Sequence, residues 1–117
     1  MEPEKIKVVY VEPGKTASVR FIDKGLESYQ KIVDGWIEQF CPYDDPVAII
    51  CNEEGKINGS QLNRAIRDEN GAVLDIIAGT FFVCGLGEEN YCSIPDKLCM
   101  KYHDLFYRPE YFVMRNE

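Results

Sequence analysis

Basic side chains are scarce in this sequence. Thirteen Lys and Arg stand against 20 Asp and Glu, which gives a formal net charge of -7. A protein that binds nucleic acid by displacing counterions needs a cationic surface, so this composition excludes a generic phosphate-backbone binder. Histidine occurs once, as His103. The five cysteines, Cys41, Cys51, Cys84, Cys92 and Cys99, include no C-x-x-C pair. The sequence therefore carries no local zinc or dithiol redox motif. The longest apolar run, Ile76 to Cys84, falls well short of the ~20 residues that span a bilayer as a helix. The charged opening Met1-Glu2-Pro3-Glu4-Lys5 does not read as a secretion leader. No block of five like charges exists: residues 1–58 carry 11 acidic and 7 basic groups, and residues 59–117 carry 9 and 6. Acidity this even favours solubility and lacks the dense carboxylate array that a nucleic-acid mimic would present.

What is present suffices for a core. The 117 residues are 45% hydrophobic and 12% aromatic, which excludes a disordered or low-complexity chain. One domain over residues 1–117 is expected, with a core at 5–106 and an aromatic tail at 107–117. Cys51 and Cys84 sit inside apolar runs, where a free cysteine behaves as a small hydrophobe. Five unpaired thiols point to a reducing, cytoplasmic compartment.

Lys5 to Val11 and Thr16 to Ile22 alternate in the manner of strands and flank the turn Glu12-Pro13-Gly14-Lys15, so a hairpin is expected. Asp23 is the candidate cap of a helix from Leu26 to Phe40, whose apolar residues recur every three or four positions. Gly35 falls inside that span, where it would cost ~1 kcal/mol relative to Ala, and is read as a packing glycine. Pro46 to Cys51 reads as a buried strand. Ser60 is placed as the cap of a short helix containing Leu62 and Ile66. Ala72 to Gly85 reads as the longest strand, with a bulge or close backbone approach at Gly79. Ser93-Ile94-Pro95-Asp96 resembles a helix start, and that helix runs to about Tyr107 with Leu98, Tyr102, Leu105 and Phe106 inward. Tyr111-Phe112-Val113 is a last segment or strand. The fold class expected is α+β: a mixed or mostly antiparallel sheet of four to five strands, packed by one long amphipathic helix and a C-terminal helix.

No residue set stands out as catalytic or metal-binding. Cys99 and His103 share a helix face at i, i+4, with nothing beside them to complete a tetrahedral site. Gly85-Leu86-Gly87 follows a strand, but Glu88 and Glu89 come next and would repel a phosphate. Arg64 and Arg67, at i, i+3 on the expected short helix, could grip a carboxylate or phosphate; surface pairing is the plainer reading. Asp75, in an otherwise apolar run, would need a partner if buried, and Arg64 is the candidate. Asn63, Arg64, Arg67 and Asp75 are the candidate ligand- or partner-binding residues, joined by Tyr107 and Tyr111 of the C-terminal aromatic cluster, which the spacing leaves open between core and binding surface.

Four stretches together resemble a known family. They are Val9-Tyr10-Val11-Glu12-Pro13-Gly14-Lys15, the Leu26 to Glu38 segment with Asp34-Gly35-Trp36, Ile50-Cys51-Asn52-Glu53-Glu54-Gly55-Lys56 leading to Leu62-Asn63-Arg64, and Asp75 to Val83. The order is that of the domain-of-unknown-function 3846 family, over roughly residues 5 to 106. The resemblance implies a small protein of bacteria, phages or mobile elements, with emphasis on Gly35, Asn63, Arg64, Asp75, Gly79 and Thr80. It implies no catalytic residue, substrate or cofactor. The expectation is a non-enzymatic interaction or modulator module that needs no metal or cofactor, meets a basic host or defence protein, and binds neither membrane nor nucleic acid directly. The alternative is a small-ligand or enzyme site around Asn63, Arg64 and Asp75.

Overall fold

A computed structural model describes residues 4–113. Ten elements follow one another: β1 (Lys5–Val11), β2 (Ser18–Asp23), α1 (Leu26–Val33), β3 (Ile37–Phe40), β4 (Val47–Asn52), β5 (Leu62–Arg67), β6 (Val73–Ala78), β7 (Phe81–Leu86), β8 (Tyr91–Cys92) and α2 (Asp96–Phe106). Five strands lie in the order β2-β1-β7-β4-β3, and β8 extends the same sheet from β7. β5 and β6 form a separate two-stranded sheet. Every pairing is antiparallel. The α+β class stands, with six strands in the main sheet where four or five were expected.

The central strands explain the layering. All six residues of β4 are buried, as are five of the six in β7. Strand side chains alternate between faces, so a strand apolar throughout is covered on both sides. Phe82 and Cys84 join Ile6, Val8, Ala48 and Ile50 beneath Tyr29 and Val33 of α1. Phe81 and Val83 join Val9, Val11, Val47 and Ile49 beneath Tyr102 and Phe106 of α2, and there Ile66 and Ile77 of the β5–β6 hairpin close the second core.

Helix α1 ends seven residues earlier than its spacing predicts. Asp34 takes the left-handed conformation at φ 61° and Gly35 follows at φ 155°. Trp36, Ile37 and Phe40 keep a helical spacing by coincidence; Ile37–Phe40 pairs with β4 instead. Asn52 of β4 fixes the stop, because its Nδ2 donates to the carbonyls of Val33 and Asp34, each at 3.0 Å. A Cβ on residue 35 would lie 2.6 Å from that nitrogen, so Gly35 both ends the helix and admits its cap. The N-cap is Gly25; Asp23, expected there, pairs with Lys5 at 3.0 Å.

Three further expectations change. Leu62–Arg67 is a strand, since it pairs antiparallel with β6. Ser60, expected as a helix cap, closes a turn on Asn58. The run from Ala72 to Gly85 divides at Gly79, whose φ is 80° and whose N–H donates to the Gln61 carbonyl, so the chain leaves one sheet and enters the other. At α2 the N-cap is Pro95, while the Ser93 hydroxyl accepts the Lys7 N–H at 2.8 Å. Tyr102 and Phe106 point inward as expected, Leu98 is half-buried and Leu105 is exposed. Residues 111–113 form no strand. Val19 and Phe21 of the alternating Thr16 to Ile22 stretch are exposed on the edge strand β2, while Ala17 is buried.

Asn52→Ala removes both bonds that close α1. The expected cost is about 1–2 kcal/mol, read as a lower urea midpoint; an unchanged midpoint would show that the cap contributes nothing.

Candidate functional site

Asn63 and Arg64 are both buried, at 0% and 1% exposure. The Arg64 guanidinium spends one bond for each of its five N–H groups. Nε and Nη2 donate to the Phe106 carbonyl at 3.1 and 3.0 Å, and Nη2 donates to the Lys15 carbonyl at 2.6 Å. Nη1 donates to the Asn63 carbonyl and side-chain oxygen at 3.3 and 2.7 Å. Asn63 Nδ2 donates in turn to the Val11 and Gly79 carbonyls. Burial lowers the Arg64 pKa and the charge of Glu110 opposes this; an arginine stays protonated regardless. These two side chains act as a staple among backbone carbonyls.

Asp75 stands elsewhere. It faces Ile66 across the hairpin, while Arg64 faces Ile77. Its partner is Lys56, at 2.6 Å, and not Arg64. Burial raises the Asp75 pKa, but the Lys56 ammonium and the Ile76 N–H outweigh it and the net shift is downward. The Lys56–Asp75 pair borders a small cleft of about 130 Å³ that the buried Cys51 also lines. Burial pushes that thiol, like Cys84, up to about 12, far from the range of a reactive thiolate.

Arg67 is exposed at the end of β5, where Arg64 is buried. It pairs with Glu110 at 3.4 Å, and the same carboxylate accepts the Ala65 N–H. Tyr107 and Tyr111 are both exposed, and the Tyr107 carbonyl accepts the Ala17 N–H. The structure thus brings Asn63 and Arg64 together and sends Arg67, Asp75 and the two tyrosines to separate places. His103 contacts Asp104 at 3.5 Å and stacks near Tyr107. No group of three or more metal-ligating His, Cys, Asp or Glu occurs among the described residues.

A partly apolar groove runs beside α1. Five strands side by side span about 20 Å at ~4.8 Å spacing. A helix with its side chains is about 10–12 Å wide, and on the α1 face Ile6, Val8, Ala48, Ile50, Phe82 and Cys84 of the three central strands are all buried. Beside α1 lie two adjoining hollows of about 210 and 350 Å³ that share Asn90 and Tyr91. Leu26 and Tyr29 of α1 form one wall, Ile37 and Gln39 of β3 lie at the base, and the Leu86–Asn90 turn forms the other wall. Tyr91 lies across the base, its ring edge-on to Tyr29 and its hydroxyl donating to Gln39 at 2.5 Å. Gln30, Gly35 and Trp36 line a further hollow at the end of α1, with Trp36 69% exposed.

Charge along this groove is unbalanced. Lys24 is paired with Glu4 and Lys31 with Glu27. Glu88 and Glu89 are exposed and form no ion pair among the described residues. The signal in the sequence is indirect: an apolar spacing too long for its helix leaves Trp36 and Ile37 beyond the helix end.

A family model described as a domain of unknown function, DUF3846, matches residues 6–107. The chain belongs to this family. No curated protein and no solved structure matches the chain. The DUF3846 match contains Asn63, Arg64, Lys15 and Phe106, so it takes in the whole staple, and it ends before Glu110.

A second polar cleft of about 330 Å³ lies between α2, residues 42–45 and the hairpin tip. There the Asp45 carboxylate accepts bonds from Lys101 at 2.6 Å and the Tyr102 hydroxyl at 2.7 Å, and both hold its pKa below the ordinary value. A depressed carboxylate stabilises the fold above its unfolded pKa of ~3.9 and loses that contribution as pH falls through the lower folded value. Asp45→Asn should therefore flatten the acid limb of the melting temperature below pH ~4. An unchanged limb would show that Asp45 is uncoupled from folding.

Proposed function

We propose that this DUF3846 protein is a non-catalytic interaction module that docks a basic partner protein on the groove beside α1. The observation that carries the reading is a groove beside α1, lined by Leu26, Ile37 and Tyr91 and flanked by Glu88 and Glu89, which form no ion pair among the described residues. Contiguous exposed apolar surface rimmed by polar groups marks interaction sites. The net charge of -7 adds long-range attraction for a cationic partner and raises its rate of encounter.

The buried thiols and the fully committed guanidinium support a protein whose polar groups serve the fold. Free cysteines at all five positions fit a reducing, cytoplasmic setting. The family resemblance supports an origin in phages or mobile elements and a target among host or defence proteins.

The test is capture from a bacterial lysate with three forms of the protein. A partner held by the wild type at low salt should be lost at high salt and lost by a Glu88→Lys/Glu89→Lys variant. Met100→Ala, exposed on the opposite face of the sheet, should retain it. No retained protein at low salt, or equal capture by the charge-reversed form, would overturn the reading.

A further inference from the structure

We infer that two copies of this chain pair through the free edge of β2, antiparallel about a two-fold axis at Phe21, and so join their main sheets into one.

β2 ends the strand order of the main sheet, and among the described residues its one neighbour is β1. The register shows where its unused backbone groups point. Lys24 N–H donates to the Glu4 carbonyl at 2.8 Å, in the same register that sets Ile22 opposite Ile6 and Arg20 opposite Val8. Such bonds fall on alternate residues of an antiparallel pair, so Ser18, Arg20, Ile22 and Lys24 bond to β1. The N–H and C=O groups of Val19, Phe21 and Asp23 point away from it. Ala17 also points outward, and the Tyr107 carbonyl takes its N–H at 3.1 Å. The open edge is therefore Val19, Phe21 and Asp23.

An edge of this kind is a template for another strand unless it is very short, charged, bulged or interrupted by proline. β2 has six residues in unbroken register and no proline. Val19 and Phe21 lie opposite Val9 and Lys7, on the α2 side of the sheet, and are 44% and 66% exposed. Charge does not oppose self-pairing here. Lys5 is paired with Asp23, Lys7 with Asp96, Lys15 and Arg20 with Glu12, and Lys24 with Glu4. The edge is thus close to neutral in a chain of net charge -7, and two copies repel least where they meet on it.

Exclusion selects the register. A two-fold axis normal to the sheet keeps side-chain faces matched, so outward-bonding residues lie opposite one another. Val19 opposite itself would need the edge at Ala17, which Tyr107 occupies. Val19 opposite Phe21 sets Arg20 against Arg20, and Phe21 opposite Asp23 sets Arg20 against Lys24. Asp23 opposite itself sets carboxylate against carboxylate. Like charges directly opposite are destabilising. With Phe21 opposite Phe21, Val19 meets Asp23 and Arg20 meets Ile22. The whole free edge is then used, in about six N–H···O bonds, and the two Phe21 rings form a cross-strand pair at the axis.

Sedimentation of the full chain tests the interface over a roughly thousandfold concentration range, micromolar to millimolar. The wild type should pass from one chain to two. Association should strengthen as salt screens the repulsion between acidic copies, opposite to the loss at high salt expected for a basic partner. Phe21→Lys sets two ammonium groups at the axis and should weaken association about tenfold or more. Lysine is common on exposed strand edges, so the variant keeps its fold. Mild oxidation tests the register, in a Cys41→Ser background that removes the exposed thiol. Phe21→Cys should give a disulfide-linked dimer, because residues opposed in a hydrogen-bonded pair lie about 5.5 Å apart at Cα. Val19→Cys should not, because the two Val19 positions then lie about 14 Å apart along the strands. A single chain at every concentration, or a Phe21→Lys variant that associates as the wild type does, would overturn the interface. Cross-linking at position 19, or at neither position, would overturn the register.

Discussion

A buried guanidinium whose acceptors are all neutral holds the second core together. The last carbonyls of a helix have no partner within the helix and carry the negative end of its dipole. Phe106 closes α2 with such a carbonyl, and Arg64 meets it with two N–H groups. The remaining donors reach Lys15 in the β1–β2 loop and Asn63 beside it. Asn63 carries the connection to the end of β1 and to Gly79, where the chain crosses between sheets. Five separate pieces of chain thus meet at two adjacent side chains. An arginine suits the position because its five donors lie in a fixed plane and its charge is met by oriented carbonyls.

This constraint explains the division between the two faces. On the α2 face, the hairpin and the helix end are fastened through side chains to backbone, and Phe106 stacks edge-on to Phe81 at 5.3 Å. On the α1 face, one short helix is closed by Asn52, and Tyr91 packs edge-on against Tyr29 beside it. Both sheet faces are buried at the central strands, and the groove beside α1 leaves Leu26, Ile37 and Tyr91 partly accessible.

Much of the strand framework was legible in the sequence. The first hairpin and the buried Val47–Asn52 strand follow from alternation and continuous apolarity. Tyr102 and Phe106 follow from helical spacing. The breaks were harder, because they depend on contacts distant in sequence. Gly35 looked like a packing glycine within a helix, and it is one in part, but the helix stops because Asn52 takes its last carbonyls. Leu62 and Ile66 are four apart, as on a helix; pairing with Val73–Ala78 decides otherwise. Arg64 was picked out correctly as unusual. Its partner was sought among carboxylates, whereas the acceptors are backbone carbonyls that a sequence does not display. The groove beside α1 is legible only indirectly, in an apolar spacing that runs past the helix end to Trp36 and Ile37.

Native-state hydrogen exchange on Arg64→Met tests the central claim most directly, since methionine fills much of the volume but donates nothing. The account predicts that amides in the last turn of α2 and in β5 and β6 lose protection together, while β4 and β7 keep theirs. Wild-type protection throughout α2 and the hairpin would contradict it.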